Sequence, residues 1–137
     1  MDIAVVDDEK AIREHICGLV EEQQPESRIK AYATGEELLA SGKRFDIVFL
    51  DIQMEGMNGI EAARSLREKQ GDTVLVFVTG IKDYVFDAFD LYAFQYLLKP
   101  IAEDKFAEVL ARAVREAAKK KERRVLFIKS RNLTLDQ

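Results

Sequence analysis

The chain has 137 residues, 47% of them hydrophobic, which suits one compact domain that buries its own core without staples. Its single cysteine, Cys17, excludes an internal disulfide, and no apolar run approaches the roughly 20 residues of a membrane helix. The net charge of −4 divides into an acidic body, residues 1–118 with 14 Lys+Arg against 23 Asp+Glu, and a basic tail, residues 119–137 with 7 against 2, so the body is a poor nucleic-acid surface.

The N-terminus turns acidic by Asp7-Asp8 with no basic segment and apolar stretch before it, so no secretion signal is read and a cytoplasmic location with no membrane contact is expected. Ile3-Ala4-Val5-Val6 reads as a strand, and from Glu9 to about Gln23 Ile12, Ile16, Leu19 and Val20 recur at helical spacing. His15 and Cys17 fall in that helix and are read as packing residues. A second strand is expected from Ile29 to Ala33. Thr34-Gly35-Glu36-Glu37 forms a capping box that opens a short helix, which Gly42 ends. Ile47-Val48-Phe49-Leu50 is continuously apolar, as a central parallel strand covered on both faces must be, and terminates at Asp51.

Asn58 can cap a third helix carrying Ile60, Ala62, Ala63 and Leu66, with Gly71 as its stop. Val74 to Val78 forms a fourth strand ending at Thr79, and roughly Lys82 to Leu91 a fourth helix, with Val85, Ala88 and Phe89 toward the sheet and Tyr84 and Tyr92 nearer solvent. Gln95 to Leu98 is the fifth strand, Lys99-Pro100 follows, and a last helix runs from about Glu103 to Arg123. Five strand–helix alternations predict an α/β fold, a doubly wound parallel sheet with right-handed crossovers. Lys119 to Arg124 is a solvated helix end in preference to a nucleic-acid patch. Val125-Leu126-Phe127-Ile128-Lys129 reads as a further strand that opens a second domain, with an edge strand or ordered linker as the alternative.

Ligands of open parallel sheets bind beyond the carboxyl ends of the strands, where strand order reverses. Asp7 and Asp8 follow the first strand, Asp51 the third, Thr79 the fourth and Lys99 the fifth. Carboxylates brought that close repel unless a cation joins them, and hard oxygen donors favour magnesium. No His/Cys cluster exists for zinc. A carboxylate can attack phosphorus when charge on the transferring oxygens is neutralised, which makes Asp51 the candidate nucleophile, Lys99 a mobile positive charge and Thr79 a hydroxyl donor.

Val5-Val6-Asp7-Asp8-Glu9, Phe49-Leu50-Asp51-Ile52-Gln53-Met54, Met57-Asn58-Gly59, Val78-Thr79-Gly80 and Tyr96-Leu97-Leu98-Lys99-Pro100 together resemble the receiver domains of bacterial two-component response regulators. The resemblance covers residues 1–122 and implies the five-stranded, five-helix, flavodoxin-like receiver fold. It implies Asp51 as phosphoacceptor, Asp8 as a direct magnesium ligand, Asp7 as one largely through water, and the backbone carbonyl of Gln53 as a third. Thr79 and Lys99 would bind the phosphoryl group, Lys99-Pro100 would be cis, and Tyr96 would be the aromatic switch. A sensor histidine kinase would be the phosphodonor and a homodimer the phosphorylated form.

Asp83 to Pro100, followed by Phe127-Ile128-Lys129-Ser130, resembles the subfamily in which a LytTR-type DNA-binding domain follows the receiver. Residues 123–137 would then be the linker and first strand of that domain, and DNA would be met there and not by the receiver. Two positions depart from the family pattern: Glu55 stands where proline is common, and Gly80 replaces a small side chain. The rival readings are an aspartate-nucleophile phosphatase and a stand-alone phosphorelay or docking receiver. Asp51-Ile52-Gln53 lacks the second acid of the first, and no phosphoacceptor or metal acid is missing as in a docking module.

Overall fold

The computed structural model describes residues 1–136, with side chains through 132. Five parallel strands lie in the order β2-β1-β3-β4-β5: β1 (Asp2–Val6), β2 (Arg28–Tyr32), β3 (Ile47–Leu50), β4 (Val74–Thr79) and β5 (Gln95–Leu98). Between them run α1 (Lys10–Gln23), α2 (Gly35–Ala40), α3 (Gly59–Lys69) and α4 (Val85–Asp90), and α5 (Glu103–Asp136) ends the described chain. The predicted fold class is observed, and so is the predicted order of elements as far as the last helix.

Strand alternation divides the core in two. Ile3, Val5, Ile47, Phe49, Val74, Val76 and Val78 point to one face, where they meet Ile16 and Val20 of α1 and Phe106, Leu110 and Ala113 of α5. Ala4, Val6, Val48, Leu50, Leu75 and Phe77 point to the other, against Leu38 of α2, Ala63 and Leu66 of α3, and Ala88 of α4. Burial on both faces explains why β3 and β4 read as unbroken apolar runs. The caps are also where the sequence places them: Thr34 Oγ1 accepts from Glu37 N at 3.1 Å, and Asn58 Oδ1 from Glu61 N at 3.0 Å.

Three expectations need correction. The strand at Val125–Lys129 is helical, because α5 continues through it. Extending an existing helix adds a hydrogen bond for each residue fixed, whereas a strand needs a neighbour to supply its bonds. Val125, Leu126, Phe127 and Ile128 remain exposed there, and Gln137 lies outside the described residues. The fourth helix is shorter than expected, and its register turns Val85 (45% exposed) and Phe89 (78%) to solvent while Tyr84 packs inward beside the core. His15 is exposed and lies 3.6 Å from Glu103 Oε1, so only Cys17 of that pair packs against the core.

Candidate functional site

The parallel register puts Val6 beside Leu50, so the residues that follow, Asp7 and Asp51, leave the sheet side by side where strand order reverses. Asp51 N donates to Val6 O at 3.0 Å and ties the two strand ends together. On the other side, Thr79 pairs with Leu98, and Lys99 N donates to Thr79 O at 2.8 Å. Four chain segments thereby bring Asp7, Asp8, Asp51, Thr79 and Lys99 to one rim.

Carboxylate oxygens of Asp7, Asp8 and Asp51 lie within 4.8 Å of one another. Asp7 and Asp51 are buried, at 1% and 3% exposure, whereas Asp8 is open to solvent. Lys99 Nζ lies 2.8 Å from Asp7 Oδ2 and 3.0 Å from Asp51 Oδ2, and only the Asp51 contact is aligned as a hydrogen bond. Burial pushes the Asp7 carboxyl up, against the pull of Lys99 and of Glu9 N, which donates to Asp7 Oδ1. Burial also works against the Lys99 ammonium, but Asp7 and Asp51 outweigh it and hold that pKa above its ordinary value.

Asp51 Oδ1 accepts from its neighbours Ile52 N at 2.7 Å and Gln53 N at 3.3 Å, which leaves Oδ2 on the Lys99 side. Among the described residues the buried Thr79 Oγ1 has no hydrogen-bond partner, and the buried Asp7 Oδ2 has only its ion pair with Lys99. Clustered carboxylates suit a hard cation, and a buried hydroxyl without a partner beside an ammonium suits a multiply charged oxyanion, so the residues fit magnesium and a phosphoryl group.

The loop after Asp51 is tied by backbone N–H groups to acids. Glu55 N reaches Asp8 Oδ2 and Met57 N reaches Glu36 Oε2, each at 3.4 Å. A proline at 55 would have no N–H to give. Gly59 is required beneath the loop, because a Cβ there would lie 2.0 Å from the Asp51 carbonyl oxygen. At Gly80 nothing lies within 4 Å of an added Cβ. Lys99–Pro100 is cis.

The Tyr96 hydroxyl, raised in pKa by burial, donates to the Ile81 carbonyl in the β4–α4 loop. Sequence reasoning missed Ile81, and also Arg13, whose Nη1 donates to Asp7 O at 2.7 Å and holds the β1–α1 turn. Both partners are backbone carbonyls, which have no sequence signature.

A doubly wound domain with a carboxylate and lysine site at its switch point defines a narrow class of protein. The response regulator receiver domain model matches residues 3–111, and the chain belongs to that family. It is 31% identical over 126 residues to the sensory transduction protein LytT of Oceanobacillus iheyensis, covering 89% of this chain and 51% of that protein. It is 33% identical over 119 residues to the transcriptional regulatory protein BtsR of Escherichia coli, covering 85% and 49%. The chain thus spans about half the length of these relatives. Among solved structures it is similar to the response regulator TrrA of Thermotoga maritima in complex with Mg(2+)-BeF, with a TM-score of 0.71, 32% identity, and coverage of 82% of this chain and 97% of that one. As a receiver domain the chain is a signalling module. The LytTR-type resemblance is met by response regulators among the relatives. No helix of the described residues is long and apolar enough to cross a membrane.

Proposed function

We propose that this domain is a phosphorylation switch in which Asp51 accepts a phosphoryl group from a phosphohistidine on a sensor histidine kinase. The observation that carries the reading is Asp51 itself: a buried carboxylate at the central strand's end, clustered with Asp7 and Asp8, with the Lys99 ammonium 3.0 Å from it and 2.8 Å from Asp7. Asp51 Oδ2 attacks phosphorus, the bond to the donor nitrogen breaks, and an acyl phosphate forms on the side chain. Lys99 shifts from the carboxylates to a phosphoryl oxygen, and Thr79 Oγ1 donates the hydrogen bond it otherwise lacks. Magnesium, held by Asp8, Asp51, the Gln53 carbonyl and, through water, Asp7, would supply the remaining charge neutralisation. With no second acid in Asp51-Ile52-Gln53, the domain dephosphorylates itself slowly at most.

The output we propose is self-association through α4, β5 and α5, where Val85, Phe86, Phe89, Tyr92 and Leu98 are exposed. The tie from Tyr96 to Ile81 links that face to the strand bearing Thr79. A phosphoryl group that draws in Thr79 shifts a pre-existing equilibrium by a few kcal/mol. Residues 123–137 connect to a DNA-binding output domain of LytTR type, and pairing two such domains raises their avidity for DNA. The phosphohistidine donor places the domain in the cytoplasm.

Intact mass after incubation with acetyl phosphate and magnesium tests the reading. One added phosphoryl group is expected, absent in Asp51→Asn. Labelling of Asp51→Asn to the parent's extent would overturn it.

A further inference from the structure

We propose that Arg67, at the far end of α3 from the site, is a positioning residue for the exposed aromatic face of α4. Its guanidinium donates to four backbone carbonyls: Nε to Leu91 O at 2.7 Å, Nη2 to Tyr92 O at 3.2 Å, and Nη1 to Thr73 O at 2.6 Å and Gly71 O at 3.2 Å. All four partners are neutral. Burial lowers its pKa, only partly offset by the Asp72 carboxylate, yet a guanidinium keeps its proton in proteins, so the charge held here bonds to carbonyls, with Asp72 acting on it only through space.

Two of those carbonyls lie in the turn that follows α4, Leu91 O at its C-cap and Tyr92 O one residue further on. A helix leaves its last carbonyls without partners inside the helix, and a cation there is favourable on both hydrogen-bonding and dipolar grounds. Immediately beyond the helix Tyr92 has φ 56°, the left-handed region that a side chain with a Cβ resists. Such a conformation persists only where the surroundings over-determine it, and Arg67 grips the carbonyl on each side of the Tyr92 nitrogen and α-carbon. Phe89 and Tyr92, at 78% and 83% exposure, flank this turn, so the grip sets how they are presented. Arg64 Nη2, 3.5 Å from Asp87 Oδ1, makes a second tie between α3 and α4. At its other end α3 is tied to the residue that follows Asp51, with Gly59 N donating to Ile52 O at 2.8 Å. α3 is thus a strut from the Asp51 loop to the end of α4, separate from the Thr79 and Tyr96 route.

The test is amide hydrogen exchange on the full chain. The amides of Leu91, Tyr92 and Ala93 are bonded to Asp87 O, Phe89 O and Ala88 O and report the turn directly. Arg67→Met should speed their exchange about tenfold or more while the β3 and β4 amides hold, and Arg67→Lys should restore little, because an ammonium lacks the planar fork. Arg67→Gln serves if Arg67→Met does not fold. Tyr92→Gly added to either variant should bring Leu91 and Ala93 back to within about threefold of the parent, since glycine adopts the left-handed turn freely. If Tyr92→Gly rescues nothing, or if β4 loosens in step with α4, Arg67 is a general brace and the proposal falls. The consequence for association rests on the proposed function of the aromatic face, so sedimentation of the beryllofluoride-loaded variants is run alongside. Faster exchange at Leu91 to Ala93 with unchanged association upholds the positioning role and overturns that reading of the face. Lost association with unchanged exchange overturns the positioning role.

Discussion

Lys99 Nζ stands 3.0 Å from Asp51 Oδ2, an ion pair whose side chains are only 15% and 4% exposed. Removing one partner of such a pair leaves a carboxylate buried without compensation, here with Asp7 beside it. Lys99→Met should therefore lose about 3 kcal/mol of stability in chelator, by analogy with other broken buried pairs, and regain most of it on adding magnesium. Urea unfolding with and without the ion measures both. Equal stability of parent and variant in chelator would remove Lys99 as the neutralising group. Lys99→Arg should keep its fold but lose the response to beryllofluoride, because a planar guanidinium cannot follow a transferring oxygen as a compact ammonium does.

Two glycines near the site should respond in opposite directions. At Gly59 a Cβ would meet the Asp51 carbonyl oxygen at 2.0 Å and the Ile52 Cα at 2.7 Å, both backbone, so Gly59→Ala should cost about 2 kcal/mol and slow labelling by acetyl phosphate. At Gly80 the space is open and φ is not in the left-handed region, so Gly80→Ala should add about 0.5 kcal/mol by restricting the unfolded chain. Thermal melts of the pair, read against the parent, check the contrast.

Asp72 connects the later part of α5, at Arg124, to the body. Burial raises its carboxyl, but Arg44 at 2.5 Å and Arg124 at 2.7 Å more than reverse this and hold it below the usual range. A carboxylate depressed in the folded state contributes stability that is fully present above its unfolded pKa of about 3.9 and is lost as pH falls through the folded value. Asp72→Asn should cost about 1 kcal/mol at pH 7, a figure suited to a partly exposed network, and the gap to the parent should close below about pH 3.9. Salt should narrow it at neutral pH. A gap that widens in acid would show that these pairs do not set the carboxyl's affinity for protons.

Phe86 and Phe89, at 84% and 78% exposure, contribute little to the core. Phe86→Ser with Phe89→Ser should shift stability by no more than about 0.5 kcal/mol per site. The same change should weaken association of the beryllofluoride-loaded protein at least tenfold by sedimentation, if the face is used as proposed. Unchanged association would move the interface elsewhere.

Much of this was legible in the residues because it depends on local periodicity and on caps. Unbroken apolar runs marked β3 and β4, Thr34 and Asn58 marked helix starts, and an acid, hydroxyl or lysine after a strand marked the rim. Where reading failed at α4, the rotation of the packed helix decided the outcome. Val85, Ala88 and Phe89 keep the same angles to one another wherever the helix begins, but α4 packs with Ala88 buried, and Phe89, about 100° further round, faces outward.

The sequence by itself determined the sheet's makeup and which side chains arrive at its carboxyl rim, because strand periodicity and the ends of apolar runs are properties of the chain alone. Only the tertiary structure decided that Lys99 divides its charge between Asp7 and Asp51, that Tyr96 is tied to Ile81, and that Arg67 closes the end of α4. Each depends on a close approach between segments far apart in the chain, and in the last two the acceptor is a backbone carbonyl. Every residue carries one, so nothing in the order of side chains marks which carbonyl will be met.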